Sequence, residues 1–505
     1  MKRAFLIAVF AAQILFFGFT ARHRFIDGDE GFYLLAARLV LAHKKPYLDF
    51  FYTQAPLLPY VYALWMKFTQ VSWASARLFS ALLTALLGTL LCEQVRHLTR
   101  SWLAGLAAVV LFASSTLVFA FFPVAKTFSL AELFLFAAYV VVTRFLTLSP
   151  RWPVAAGGLL LGLSVDTRSY LLLLAPVFLW WIFRNSEAGV RQAAIRWFLG
   201  GFAVGVVPSF YLFMSSPSAF LFNNLGYHAI RSSEGLVGWW GQKLAIAVMT
   251  FLGGPEGNGI QYSILFFVTL GFVFSTRLRT YPPRLAFQIA LVLGVISLLP
   301  TPAYPQYLCL GIPFLVVSTV CVVKDFFATL ESGRERLVAA AVGIALFGIY
   351  VAAAGNDFRK YLITGDGIPG VRHSGNPDDW RLDRVIEVSQ AIDQVAAPGE
   401  TVGSFWPGYL VQTKTQPFPG FESDYGLPIA DKLTSGQRAR YHINSLADLE
   451  SIFAAHTPRV VVLGNQNLFM RQVIGVTARQ SLLAHGYIPV RSIGGTSIYV
   501  CCTEP

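Results

Sequence analysis

The sequence predicts a polytopic α-helical membrane protein followed by an α/β domain outside the membrane. Three observations lead to this prediction. First, 55% of the 505 residues are hydrophobic and only 13% are charged, a composition far from that of soluble domains. Second, the apolar residues gather into runs long enough, or nearly long enough, to cross a bilayer as helices. Third, beyond residue 354 the composition becomes ordinary and polar, with alternating helix and strand signals.

The apolar runs predict about eleven transmembrane helices, which together form a membrane domain over residues 1–354. Several runs are short, notably 153–166, and we expect the ends of those helices to lie in a wet protein interior. The runs are residues 4–20, 76–95, 102–122, 127–147, 153–166, 169–183, 197–214, 261–276, 285–300, 305–323 and 337–354.

The basic residues predict how these helices are oriented. Alternate gaps between the runs, beginning with Lys2 and Arg3, each carry at least two Lys or Arg residues. The short gaps between them carry one or none, namely Lys126, Arg168 and none at 301–304. Cytoplasmic loops of membrane proteins carry such an excess of basic residues. The pattern therefore predicts a cytoplasmic N-terminus, and an odd number of helices places the C-terminal domain on the extracytoplasmic side.

The same distribution accounts for the net charge of +12 without a nucleic-acid partner. No stretch rich in Lys and Arg carries the interleaved aromatic residues that would indicate nucleic-acid binding. The five Cys residues do not form a disulfide framework, and no Cys and His residues have metal-ligand spacing. The sequence therefore requires no cofactor, although it does not exclude a requirement for a divalent metal ion.

Two segments between the apolar runs are predicted to lie outside the membrane. Loop 21–75 contains apolar stretches, but Gly31 and several Pro residues break it into pieces too short to span. We expect helices lying in the membrane interface there. The second segment, 215–260, contains an apolar piece, 244–252, which ends at 253–255 and which we expect to dip into the bilayer without crossing it.

The C-terminal segment, residues 355–505, is predicted to be a small extracytoplasmic α/β domain because its helix and strand signals alternate. It has no Gly-rich phosphate-binding fingerprint, since Gly494 and Gly495 are predicted to form a turn between strands. The predicted elements are helices at 381–395, 446–456 and 473–485, strands at 401–405 and 459–463, and a hairpin of 488–492 with 497–501.

Three carboxylates, Asp27, Asp29 and Glu30, lie directly after the first apolar run, and charge in a membrane protein tends to mark function. A structural explanation is that Asp29 caps a helix starting at Glu30, while Asp27 and Gly28 form a turn. The functional alternative is a general base, or a carboxylate that orients an acceptor, at an external active site. The two roles do not exclude each other.

Two further interpretations of these carboxylates are excluded. An Asp-x-Asp metal site, typical of nucleotide-sugar transferases, would need nucleotide sugars, which are not normally found on the outer side. A calcium-binding loop would need a bidentate Glu at the position where the sequence has Arg38.

Four stretches of sequence resemble the GT-C class of integral-membrane glycosyltransferases: 29–38 (DEGFYLLAAR), 45–49 (KPYLD), 56–60 (PLLPY) and 76–80 (ARLFS). Within that class they are similar to bacterial relatives of the dolichyl-phosphate-mannose protein mannosyltransferases. These relatives include the lipid A aminoarabinose transferase and the rhizobial galacturonosyltransferases of lipopolysaccharide core. The resemblance is specific over residues 24–85 and extends to the rest of the chain by topology alone.

The resemblance implies a sugar donor carried on a polyprenyl phosphate and an active site at the outer face of the bacterial cytoplasmic membrane. The acceptor would be a hydroxyl of a cell-envelope glycolipid, a polysaccharide or a protein. The family has an Asp-Glu pair in its first external loop, which falls on Asp29 and Glu30. Its Ala-Arg-Leu motif at the start of the second span falls on Arg77.

The chain departs from the family pattern at two places. Gln54 stands where a Lys is common, so a cation for the phosphate or the acceptor is missing there. Lys126 stands in a segment where a second acidic residue is common, and Glu132 lies deeper in the span. The chemistry on the donor side therefore has to rest on other residues.

Lys126 and Arg168 are the basic residues of the short outside gaps and are predicted to contact the donor phosphate. Snorkelling to the interface explains Lys126 equally well, and Arg168 can pair with Asp166. Aromatic-belt anchoring is the alternative for the tyrosines among the remaining predicted substrate-binding residues. Those residues are Asp27, Asp49, Gln54, Arg77, Tyr304, Gln306 and Tyr307.

The predicted reaction is an inverting transfer in which Asp29, with Glu30 as its partner, deprotonates or orients an acceptor hydroxyl. Cations stabilise the charge of the departing phosphate. A transporter or flippase of a lipid-linked sugar is the alternative, but its charges should recur near the bilayer midplane in paired halves. A membrane scaffold whose C-terminal domain binds a partner would leave the acidic residues unexplained.

Overall fold

The computed structural model describes residues 2–146, 151–231, 236–252, 259–273, 282–363, 377–464 and 475–501, which are mostly helical. The chain divides into two compact units, each assembled from three segments. The first unit comprises Met1–Ala21, Ser80–Val207 and Glu234–Val371, and the second comprises Arg22–Phe79, Pro208–Ser233 and Arg372–Pro505. The second unit therefore contains most of the predicted external loop together with the C-terminal segment. The domain boundary at residue 354 stays a prediction.

Long apolar helices supply most of the first unit. Among the described residues, five helices are long and apolar enough to cross a membrane. A sixth crossing results if Arg191–Gly205 and Val207–Ser215, which are bent by 55°, count as one span. The count of about eleven therefore stays a prediction. The five helices are Lys2–His23, Trp73–Thr99, Thr127–Phe145, Pro305–Thr329, whose first turn Pro305–Gly311 is 3₁₀, and Gly333–Ile363.

Shorter helices complete the first unit, and some predicted spans are interrupted. The span predicted at 102–122 is divided at Ser114, whose hydroxyl donates to the carbonyl oxygen of Val110 at 2.6 Å and competes with the backbone ladder. The apolar piece 244–252 forms the second half of the helix Leu236–Leu252, and its predicted end at 253–255 lies outside the described residues. The shorter helices are Trp102–Ala113, Thr116–Phe121, Trp152–Thr167, the 3₁₀ turn Ser169–Leu174, Ala175–Asn185, Leu236–Leu252, Gly259–Val273 and Pro282–Ile296.

Small residues allow two of these helices to pack backbone against backbone. A Cβ atom at Gly158 of the helix Trp152–Thr167 would lie 2.0 Å from the carbonyl oxygen of Phe198 in the helix Arg191–Gly205. A Cβ atom at Gly205 would lie 2.5 Å from the carbonyl oxygen of Leu159. Such close approach between small residues is a common way for helices to associate in lipid, where the hydrophobic effect does not drive them together.

The second unit contains the helix Gly28–Leu41, which follows the first apolar helix, and a set of short helices around a sheet. The predicted helices of the C-terminal segment are confirmed, with bounds that differ by at most two residues; residues 473 and 474 lie outside the described residues. The remaining helices of this unit are Leu57–Phe68, Pro217–Leu221, the π-turn Phe222–Gly226, Tyr227–Ile230, Pro377–Trp380, Leu382–Val395, Pro407–Leu410, Leu427–Lys432, Ser435–Tyr441, Leu446–Ala454 and Gly475–Ala484.

The sheet of the second unit has five strands in the order β2-β1-β3-β5-β4. The strand β1 runs parallel to β2 and β3, whereas β5 pairs antiparallel with β3 and β4. The predicted strands and hairpin are confirmed; the two-residue β2 carries no alternating pattern long enough to be predicted. The strands are β1 Thr401–Ser404, β2 Gln416–Pro417, β3 Val460–Leu463, β4 Ile488–Ile493 and β5 Thr496–Val500. The extracytoplasmic location of this sheet stays a prediction.

Candidate active site

The acidic residues lie at the start of the helix Gly28–Leu41 in the second unit, and Asp27 is its N-cap. The Asp27 carboxylate accepts the backbone N–H of Asp29 at 3.1 Å, while Glu30 Oε1 accepts the backbone N–H of Asp27 at 3.0 Å. This is a capping box, in which two backbone N–H groups that have no partner within the helix each donate to a carboxylate of the other end of the turn. The prediction that Asp29 is the cap is wrong, because the helix starts before Asp29 and leaves its side chain out of the box.

Glu30 is fully buried and forms a two-point ion pair with Arg77. Arg77 Nε donates to Glu30 Oε2 at 2.9 Å, and Arg77 Nη2 donates to Glu30 Oε1. Burial by itself raises the pKa of Glu30, but the Arg77 guanidinium and the Asp27 N–H outweigh it and hold the pKa below its ordinary value. Arg77 Nη1 also donates to the Arg24 carbonyl oxygen at 2.6 Å. The pair therefore joins the loop before the helix to the segment that carries Arg77.

Asp29 differs from its two acidic neighbours because its side chain is half-buried and turns away from the capping box. Its Oδ1 atom accepts a hydrogen bond from the hydroxyl of Tyr425, which comes from the C-terminal part of the same unit. Burial, and then the charge of Asp29, raise the pKa of Tyr425 well above its ordinary value, so this hydroxyl keeps its proton and donates. Of the three carboxylates, Asp29 is the least buried.

The backbone around Asp29 is held by a second C-terminal residue. The indole of Trp406 donates to the carbonyl oxygen of Gly28 at 2.8 Å, and its ring stacks on that of Trp73 at 5.9 Å. A Cβ atom at Gly31 would lie 2.5 Å from the Cα atom of Gly408, so only glycine allows this approach. Sequence reasoning missed both Trp406 and Tyr425, since no spacing pattern ties them to the acidic helix.

The other predicted residues of the external loop make local contacts. Asp49 is exposed, and its Oδ2 atom accepts the backbone N–H of Lys45 at 2.6 Å, which closes a turn. The carbonyl oxygen of Gln54 accepts the hydroxyl of Tyr47 at 2.5 Å. These contacts shape the loop, and the substrate-binding roles of Asp49 and Gln54 stay predictions.

The predicted phosphate-binding residues meet in the first unit, where Arg168 lies among three aromatic rings. The guanidinium carbon is 4.5, 4.8 and 4.9 Å from the ring centroids of Phe128, Tyr170 and Tyr307. Arg168 Nη1 donates to the hydroxyl of Thr127, and Nε donates to that of Tyr170, both at 2.5 Å. This arrangement orients the guanidinium through ring faces and neutral hydroxyls.

Lys126 shares one of these rings, because its Nζ atom lies 5.6 Å from the centroid of Phe128. The Lys126 side chain is buried, as is that of Gln306, whereas Tyr304 is half-exposed with its ring 5.7 Å from that of Tyr307. Lys126, Arg168, Phe128, Tyr170 and Tyr307 are called the cationic cluster below. The sequence predicted Lys126, Arg168 and Tyr307 as separate substrate-binding residues, and it did not predict the rings of Phe128 and Tyr170 that lie beside the two cations.

Among the described residues, no three His, Cys, Asp or Glu side chains gather as ligands for a metal ion. The carboxylates at the start of the helix Gly28–Leu41 bind one another's backbone, Arg77 and Tyr425 instead.

No protein-family model matches the chain, and no curated protein sequence matches it. Solved structures that are similar to it over almost the whole length of both chains include two of ArnT. ArnT from Cupriavidus metallidurans bound to undecaprenyl phosphate aligns with a TM-score of 0.66 at 11% identity, covering 99% of this chain and 98% of that one. ArnT in the apo state aligns with a TM-score of 0.66 at 12% identity and the same coverage. The resemblance to the GT-C class is thereby confirmed as a likeness of fold.

Proposed function

We propose that the chain is a membrane glycosyltransferase that moves a sugar from a polyprenyl-phosphate donor to an acceptor hydroxyl, with inversion, at the outer face of the cytoplasmic membrane. The observation that carries the proposal is Asp29, a half-buried carboxylate fixed at a capped helix start. The fold supports the donor class, since the similar ArnT structure has undecaprenyl phosphate bound. The acceptor belongs to the cell envelope as a glycolipid, a polysaccharide or a protein.

In this reaction Asp29 accepts the proton of the acceptor hydroxyl, or orients that hydroxyl by accepting its hydrogen bond. The hydroxyl oxygen then forms a bond to the anomeric carbon of the donor. The bond from that carbon to the phosphate oxygen breaks, and the polyprenyl phosphate departs with the electron pair. A phosphate is a good leaving group, so the mechanism does not depend on a strong general acid.

The cationic cluster supplies the charge that such a leaving group needs. Arg168 can present its guanidinium edge to two phosphate oxygens, and Lys126 can act as a point charge beside it. The ring faces and hydroxyls around Arg168 fix the direction of its guanidinium. The paired Glu30 and Arg77 are assigned a positioning role, because the buried carboxylate of Glu30 presents no surface to an acceptor.

The proposal is tested with purified protein in detergent, a polyprenyl-phosphate donor carrying a labelled sugar, and envelope lipids as acceptors. We expect labelled acceptor and free polyprenyl phosphate in equal amounts. Asp29→Asn should lower kcat by about 10²- to 10⁴-fold with donor binding retained, since it removes the proton acceptor. Asp383→Asn, which changes an exposed carboxylate on the helix Leu382–Val395, is the matched control and should leave kcat unchanged.

Two results would overturn the proposal. Full turnover by the folded Asp29→Asn variant would remove the catalytic assignment. Movement of the intact donor across a vesicle membrane, with no covalent transfer in any assay, would favour the transporter or flippase instead.

A further inference from the structure

The C-terminal part of the second unit contacts the start of the acidic helix at three points between Ile26 and Asp29. Each contact uses a different kind of group, so together they fix the backbone and one side chain of this turn. The bonds run from Ile26 N to the Trp380 carbonyl oxygen at 2.7 Å, from Trp406 Nε1 to the Gly28 carbonyl oxygen at 2.8 Å, and from the Tyr425 hydroxyl to Asp29 Oδ1.

The ring of Tyr425 is itself held in place. It meets the ring of Phe32 edge-on at 5.0 Å and that of Tyr227 at 6.4 Å. Phe32 lies one turn along the same helix as Asp29, so the ring and the carboxylate share one rigid support. The hydroxyl is thereby aimed at the carboxylate by packing that does not depend on the hydrogen bond.

We propose that Tyr425 is a positioning residue for Asp29, supplied by the C-terminal segment. Its hydroxyl donates to Oδ1 and thereby fixes the plane of the carboxylate that faces the acceptor in the proposed reaction. A neutral donor also favours the ionised form of a carboxylate. The inference rests on the proposed function and gives the C-terminal segment a part in the reaction.

Several charged or titratable groups surround Tyr425 and Asp29. Removing only the tyrosine hydroxyl leaves all of them in place. Asp27 accepts the backbone N–H of Asp29, and Arg231 lies 5.8 Å from the ring of Tyr227. The groups that interact electrostatically with Tyr425 or Tyr227 include Asp29, Asp424, Tyr33 and Arg231. A change in the pH profile of a variant that lacks only the hydroxyl therefore reports on that hydroxyl.

The test is Tyr425→Phe in the full chain, with the transfer assay described above. One hydrogen bond to a charged group corresponds to a loss of roughly 10- to 100-fold, which we expect in kcat. The KM for the donor should stay unchanged, and the acidic limb of the pH–activity profile should move to higher pH. Tyr487→Phe is the matched control, since it removes another tyrosine hydroxyl of this unit, bonded to the Pro458 carbonyl oxygen at 2.7 Å, and should keep the original kcat and profile.

A double variant separates positioning from folding. In the Asp29→Asn background, Tyr425→Phe should cause no further loss, because the carboxylate that it positions is already gone. Full kcat and an unmoved pH profile in folded Tyr425→Phe would overturn the inference while an inactive Asp29→Asn leaves the proposed function standing. Equal losses in Tyr425→Phe and Tyr487→Phe would also overturn it. An active Asp29→Asn variant would remove the proposed function itself, and the inference with it.

Discussion

The acidic helix start of the second unit and the cationic cluster of the first unit hold buried charged side chains through different kinds of contact. At the helix start, Glu30 meets Arg77 through two hydrogen bonds, so charge is matched by charge. In the cationic cluster, Arg168 meets two hydroxyls and three ring faces, which hold its direction. The first arrangement ties two segments of the second unit together, and the second fixes the direction of a guanidinium in the first unit.

The comparison also separates two neighbouring carboxylates that look equivalent in the sequence. Glu30 points into the ion pair, and Asp29 points to a neutral tyrosine hydroxyl. Glu30 is enclosed together with Arg77, whereas Asp29 is only half-buried and is hydrogen-bonded to a residue of the C-terminal segment. The difference teaches that neighbouring carboxylates can serve the fold and the proposed reaction separately, because one is enclosed and the other keeps part of its surface accessible.

The largest effect should come from breaking the ion pair. Glu30→Ala leaves the Arg77 guanidinium buried without its carboxylate and should cost about 3–5 kcal/mol of stability. The measurement is the free energy of unfolding of the second unit in detergent, followed by Trp fluorescence. Glu30→Leu combined with Arg77→Met should recover most of that loss, because an apolar pair of similar volume needs no partner charge.

Recovery of stability in the double variant without recovery of turnover would fit the positioning role of this pair. A Glu30→Ala variant as stable as the original chain would contradict the comparison, because the ion pair would then contribute nothing to the joint. Lost turnover in a fully stable variant would move Glu30 from the joint to the reacting groups.

The next effect concerns Glu422, another buried carboxylate of the second unit. Its side chain accepts a hydrogen bond from the backbone N–H of Gly420 at 2.7 Å. Burial raises the pKa of Glu422 from 4.5 to about 7. The folded protein therefore holds this proton more tightly than the unfolded chain, and stability should fall as the pH rises from about 4.5 through about 7. The expected loss is roughly 3 kcal/mol, the equivalent of that pKa interval.

Glu422→Gln removes the titrating group and should flatten this part of the stability profile, measured by unfolding at a series of pH values. The variant should be the more stable protein above pH 7, where the original chain must bury a carboxylate. A slope that survives the substitution would assign it to other groups and would weaken the contrast with the paired Glu30.

Much of this architecture could be predicted because it depends on composition and periodicity. The apolar runs predicted helices, and alternating signals predicted the strands of the C-terminal segment. The capping box could also be predicted, since Asp27 and Glu30 have the required spacing, although the prediction of Asp29 as the cap is wrong. The contacts of Glu30 with Arg77 and of Asp29 with Tyr425 could not be predicted, because no local pattern connects residues that are 47 and 396 positions apart in the sequence.

The smallest effect should fall on the cationic cluster. Arg168→Gln keeps a polar side chain but removes the charge, and we expect about tenfold weaker binding of a polyprenyl phosphate. The measurement is the Kd of the phosphate alone, without the sugar, so that loss of turnover cannot be mistaken for loss of binding. A neutral polyprenol serves as the probe for contacts to the lipid chain and should bind equally to both proteins.

Arg191→Gln is the matched control, because Arg191 also lies 4.5 Å from a ring centroid, that of Phe183, but is predicted at the cytoplasmic side. If ring contact alone made an anion site, both substitutions would weaken phosphate binding. The expected result is a loss confined to Arg168, whose hydroxyl contacts through Thr127 and Tyr170 fix the edge of the guanidinium as well as its face. Equal binding by all three proteins would mean that the cluster only anchors helices, and the contrast with the acidic helix start would be one of packing alone.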